Sequence, residues 1–276
     1  MWGKMRQILS AVVGATALSI ACIPNVFAAD MAAPAPMYSK APMAPPAYSW
    51  TGLYVGANGG YGWGQDAVNF APAGGDAALL FADGVVPRSV STKPAGGLAG
   101  GQIGYNWQWN KIWVVGLEAD LDWAGINGSG SASLPTVPGV AGGFSNFATQ
   151  KLTSLGTVRA RFGYAIDNAL FYATGGLAYG STSLQTSVIG VGKCGPVGVC
   201  ATASSTQWMA GWTAGAGFEW AFASMWSLKA EYLYYDLGSR SQTQFDPADT
   251  FGAPYFSSSV AFRGDIVRVG LNYHLH

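Results

Sequence analysis

The chain has 276 residues, enough for one or two domains, and its 14 Lys+Arg balance its 14 Asp+Glu for a formal net charge of zero, which supplies no field to recruit nucleic acid or an anionic surface. Half of the residues are hydrophobic but only 10% are charged, against roughly 25% in soluble domains. The 39 Gly and 13% aromatics suit strands that pack closely and stand at a membrane interface.

Residues 1–28 read as a secretory signal peptide. Lys4 and Arg6 form a basic leader, Ile8 to Ile23 a mostly apolar core, and Val26-Phe27-Ala28 a small-residue cleavage box. The core is short for an uncleaved anchor. Cys22 loosely imitates a lipoprotein acceptor, but Ser19 stands where a branched aliphatic residue belongs. Residues 29–49, rich in Ala and Pro and nearly uncharged, are expected to be an extended periplasmic linker.

From 50 to 276 the chain becomes a series of alternating segments, roughly 50–64, 95–109, 112–124, 151–165, 169–180, 207–221, 226–237 and 259–275. Side chains with a period of two mark strands. Ile103, Tyr105, Trp107 and Trp109 alternate with Gln102, Gly104, Asn106 and Gln108, and Val158, Ala160 and Phe162 with Thr157, Arg159 and Arg161. The segment 169–180 alternates poorly. Three connections are short (110–111, 166–168, 222–225) and four are long (65–94, 125–150, 181–206, 238–258), in strict alternation. That is the pattern of a transmembrane barrel with short periplasmic turns and long outer loops. The expected fold is therefore all-β, an eight-stranded antiparallel up-and-down transmembrane β-barrel.

The minority face of these strands carries Glu118, Asp120, Asp122, Arg159, Arg161, Glu219, Lys229, Glu231 and Arg268, both signs nearly balanced. One or two charges per strand are too few for the outside of a soluble barrel. Inside a narrow eight-stranded lumen they would pair with one another, with Gly100, Gly104, Gly116, Gly211, Gly215, Gly217 and Gly270 leaving room for long side chains. The opposite face would meet lipid. Trp63, Trp107, Trp109, Trp113, Trp123, Trp208, Trp220, Trp226 and Tyr273, together with Trp50, are expected in interfacial girdles. Cys194 and Cys200, separated by Gly195, Pro196 and Gly198, read as a small-loop disulfide in an oxidising compartment.

Several of these stretches carry a resemblance. Residues 48–64 (YSWTGLYVGANGGYGWG), 100–108, 116–123 (GLEADLDW), 155–165 (LGTVRARFGYA), 172–180, 231–238 and 268–274 follow in order the pattern of small alphaproteobacterial outer-membrane immunogenic proteins, a porin-like surface-antigen family. The resemblance covers essentially everything after Trp50 and implies an OmpA-type eight-stranded barrel, abundant in the envelope and without a catalytic role. It implies outer-membrane lipid, lipopolysaccharide, the barrel-assembly machinery and host or envelope molecules as partners. The C-terminus departs from the family: Asn272-Tyr273-His274-Leu275-His276 stands where an aromatic ending, typically Phe, is usual.

Catalytic patterns are weak. A Ser–His–Asp arrangement would need His274 or His276, the two histidines of the chain. Gly62 to Ala67 matches a dinucleotide fingerprint in letters but would need a helix after it. Glu118 and Asp120 could imitate a catalytic carboxylate pair, against an ion-pair network with Arg159 and Arg161. No metal or cofactor is expected. Haem capture, proposed within the broad family, would have to use Tyr or Met, since the expected outer loops lack His. Two readings remain: a structural, surface-exposed envelope component, or a narrow diffusion pore for small solutes.

Overall fold

Strands of this chain pair where small, β-branched and aromatic residues alternate, and they turn where a short polar pair tolerates positive φ. A computed structural model describes residues 48–134, 143–190, 194, 198–245 and 254–275. The expected signal peptide and most of the linker lie outside them. The described elements are β1 (Gly52–Trp63), β2 (Ala67–Pro72), α1 (Gly75–Ala82), β3 (Ser89–Ser91), β4 (Ala95–Trp109), β5 (Trp113–Ser133), β6 (Phe144–Ile166), β7 (Ala169–Gly190), β8 (Val199–Ala223), β9 (Trp226–Phe245) and β10 (Pro254–Leu275). Among the described residues, no helix is long and apolar enough to cross a membrane.

Eight strands, β1 and β4 to β10, pair antiparallel in sequence order, and β1 also pairs β10, from Leu53↔Leu275 to Trp63↔Asp265, which closes the ring. Asn110, Lys111 and Asp167 have φ of 50°, 60° and 51° in the tight turns at one end, the left-handed geometry of two-residue hairpin loops.

The strands run farther toward the other end than their apolar alternation suggests, leaving only 134–143, 191–198 and 246–253 between them. The first long connection, expected as a loop at 65–94, is also structured. β2 continues the wall, pairing β10 at Asn69↔Ser259, and β3 returns beside β2. Between them α1 turns Ala77 and Phe81 inward, and Phe81 meets Phe256 edge-on at 5.8 Å.

Three register breaks fall at about one level: between Trp123 and Ile126 on β5, between Leu152 and Ser154 on β6, and between Ala261 and Arg263 on β10 opposite Gly238. Gly238 has φ +82° there, the conformation an αL bulge position requires. Below this level apolar side chains face out and polar ones in. Above it the interior turns largely apolar: Ile126, Leu152, Leu184, Val188, Phe256 and Val260 are buried inside, beside a few polar side chains such as Gln150, Arg240 and Gln244, while Asn127, Ser129 and Lys151 face outward.

Candidate functional site: the lumen

The register brings the inward charges level with one another. Glu118 lies opposite Arg159, Glu219 opposite Lys229, and Arg268 opposite Glu231. Arg159 reaches three carboxylates: Glu118, Asp120 at 3.0 Å and Glu231 at 2.8 Å. Arg161 Nη2 donates to Glu219 Oε2 at 2.7 Å, and Lys229 Nζ donates to Glu118 Oε1 at 2.9 Å. Arg268 donates from Nη2 to Asp120 at 2.9 Å, from Nη1 to Asp122 at 3.1 Å and from Nε to Glu231 at 2.7 Å. All nine charged side chains therefore meet in one buried cluster. None of these side chains is more than 1% exposed, so each charge depends on its neighbours rather than on water.

Neutral groups complete the cluster. Tyr54 donates its hydroxyl proton to Glu118 at 2.6 Å and accepts from Arg161 Nη1 at 2.6 Å. Thr157 donates to Asp120 at 2.7 Å, and Asn272 Nδ2 donates to Glu219 at 2.7 Å. Tyr172 donates to Glu231, and the Arg161 guanidinium stacks 3.9 Å above its ring. Two glycines make space for these tyrosines: a Cβ at Gly104 would strike the Tyr54 hydroxyl, and one at Gly217 the Tyr172 ring. Sequence reasoning missed these partners. Tyr54 shares the inward row of Gly56 and Asn58, which could have revealed it, but Tyr172 lies in the segment whose alternation is faint.

At the turn end, Trp50 stoppers the lumen. It is fully buried, packs with Val114, Ala165, Leu170, Tyr172 and Ala221, and lies 4.9 Å from the Tyr48 ring and 5.9 Å from His274. This corrects its expected place in a girdle: its backbone N–H donates to Gln108 Oε1 at 2.9 Å, which draws the entering chain under the barrel. Burial and the nearby Glu219 carboxylate push the Tyr48 phenol up to about 12. At the opposite end Val68, Phe70, Phe81, Val85, Val86 and Val90 of the first connection join Ile126, Leu155, Leu184, Leu233 and Phe256 in one apolar core. The lumen is thus filled at three levels: aromatic, ionic and apolar.

The other aromatics expected in the girdles stand on the outward face. Trp107, Trp109, Trp113, Trp220 and Trp226 are exposed near the turns, and Trp123, Trp208 and Trp212 farther up. Trp63 and Tyr273 are half-buried on the same face. Trp113 and Trp123 lie ten residues apart on β5, the span of one bilayer crossing by a tilted strand. Outward acids Asp236 and Asp265 accompany Trp63 and Trp212 at the upper edge. Cys194 and Cys200 are joined by a disulfide where β7 passes to β8.

Ser227, His274 and Glu219 come together inside: Ser227 Oγ lies 2.9 Å from His274 Nε2 and donates to Glu219 Oε1 at 2.6 Å. A nucleophile would have to donate to the histidine. Here the serine proton is committed to the carboxylate, and all three residues are fully buried. Glu118 and Asp120 are occupied by Arg159, Arg268 and Lys229. The residues after Gly62 form β2 rather than a helix, which removes the dinucleotide reading. Among the described residues, no group of three or more His, Cys, Asp or Glu is placed to hold a metal ion.

Residues 26–274 match the family described as outer membrane protein beta-barrel domain. A 31 kDa outer-membrane immunogenic protein of Brucella melitensis biotype 1 is 37% identical over 253 residues, covering 90% of this chain and 93% of that one. A 22 kDa outer membrane protein of Rhizobium leguminosarum bv. viciae is 29% identical over 197 residues, covering 71% and 68% of the two chains. Among solved structures, the outer membrane protein OprG of Pseudomonas aeruginosa is similar at 12% identity and a TM-score of 0.46, covering 83% of this chain and 98% of that one.

Proposed function

The chain belongs to the outer membrane protein beta-barrel domain family, and from that premise we propose that it is a sealed, non-catalytic envelope barrel that serves as a surface antigen. The observation that carries this reading is the filled lumen. Trp50, the nine-residue charge cluster and the apolar plug succeed one another along the axis, and this succession of buried layers supports a closed lumen. A diffusion channel would need a continuous water path. Relatives known as outer-membrane immunogenic proteins support the surface role.

Lipid and lipopolysaccharide surround the apolar belt in this reading, and the assembly machinery acts during insertion. The outer extension meets host or envelope molecules. Cysteine labelling on intact cells tests the orientation. Leu79→Cys, on the 65% exposed outer position of α1, is expected to react with a membrane-impermeant maleimide. Asp167→Cys, in the β6–β7 turn, is expected to react only after permeabilisation. The reverse pattern would turn the barrel over and remove the proposed role.

A further inference from the structure

Among the described residues, a long interruption in the pairing of the wall lies between β8 and β9. Pairing between β8 and β9 stops at Trp212↔Asp236 and resumes only at Thr202↔Phe245. Residues 203–211 and 237–244 therefore lack ladder partners across this seam, although β8 stays paired to β7 and β9 to β10. Side chains bridge the gap instead: Ser205 Oγ donates to Gln242 Oε1 at 2.6 Å, and Arg240 Nη2 donates to Ser205 Oγ.

Arg240 is unlike the other buried cations. Arg159, Arg161, Lys229 and Arg268 each face two or more carboxylates. Arg240 is 7% exposed and donates only to neutral oxygens, the Thr182 carbonyl and hydroxyl at 3.4 Å and Ser205, while its Nε has no acceptor. Gln244, four positions along the same inward row, is fully buried with both amide atoms unpartnered. A buried guanidinium without an anion is costly, and so is an unpaired buried amide.

We propose that the β8–β9 seam binds the anionic phosphate head of a lipid from the surrounding leaflet. Arg240 offers its guanidinium fork to a phosphate, and Gln244 supplies a second donor from the same face. The acyl chain leaves through the seam to the outside, where Trp208 and Trp212 stand exposed on β8 at the upper edge of the apolar belt. These tryptophans are what place the occupant in the membrane rather than in free solution. Binding here needs no axial path, so its outcome is independent of whether the lumen conducts.

Native mass spectrometry of the detergent-purified barrel tests this with dioleoyl phosphatidic acid, dioleoyl phosphatidylcholine and oleate. The expected result is one saturating phosphatidic acid adduct without an equivalent phosphatidylcholine adduct. Arg240→Gln should raise the half-saturating concentration roughly tenfold or more, and Arg240→Lys should recover most of it. Equal retention of the two lipids, saturation by oleate alone, or an unchanged Arg240→Gln midpoint would overturn the proposal. Unboiled gel mobility reports whether each variant folds. If Arg240→Gln does not, Gln244→Leu makes the same test without removing a charge, and an unchanged midpoint there overturns the proposal equally.

Discussion

Arg159 holds three carboxylates from two other strands, so replacing it leaves Glu118, Asp120 and Glu231 facing one another with less positive charge. Removing one partner from a buried ionic group costs about 3–5 kcal/mol. Arg159→Ala is expected to lower the urea midpoint of the refolded barrel accordingly, and an unchanged midpoint would mean that the cluster is wetter than its burial implies. Leu117 is the complementary residue. It alternates with Glu118 on β5, points outward and is 64% exposed in the absence of lipid. Leu117→Arg should cost about 2–4 kcal/mol if that position lies near the bilayer midplane, measured by equilibrium unfolding in lipid vesicles. A neutral result would reverse the assignment of the two faces. Trp50 shows the limit of reading residues by type. A tryptophan near a strand end suits a girdle as well as a stopper, and only the bend of the entering chain toward Gln108 selects the second.

Individual elements divide into two kinds. In the belt, the contrast between apolar and polar rows makes β1, β4, and the lower parts of β5, β6, β8, β9 and β10 legible, because lipid demands one composition and the lumen the other. β7 is fainter because Gly175, Gly176 and Ala178 carry little contrast. The outer extensions were hidden for a different reason. Their outer row is mainly small and polar and their inner row largely apolar, close to the pattern of a soluble strand, so the meaning of the alternation changes sign at the bulges. A single assignment of faces for the whole chain stops at that level and leaves loops above it. The connection 65–94 was hidden as well, since its strands are six and three residues long and its helix eight. The plug it forms is held by apolar contact, chiefly Phe81 and Phe70. Phe81→Asp should therefore expose 67–91 to limited proteolysis while the barrel keeps its unboiled gel mobility. Protection equal to the parent would show that the backbone pairings β2–β10 and β2–β3 suffice to hold the plug.

The described residues from 48 to 275 form one ring of strands in two solvents. Its turn-side half carries apolar residues outside around an ionic core, and its outer half carries polar residues outside around an apolar core. Each half satisfies its own surroundings, and both fill the axis. Exchange of charges across the lumen joins β5, β6, β8, β9 and β10, so closure and neutralisation depend on one another. The seam between β8 and β9 interrupts that wall, starting where the two halves meet and running into the outer half. Single-channel recording in planar lipid bilayers tests most directly whether the axis is closed. The refolded protein is expected to give a flat trace with at most brief flickers. A steady, ohmic open level reproduced at every insertion would contradict the sealed barrel and make the diffusion-pore reading the correct one.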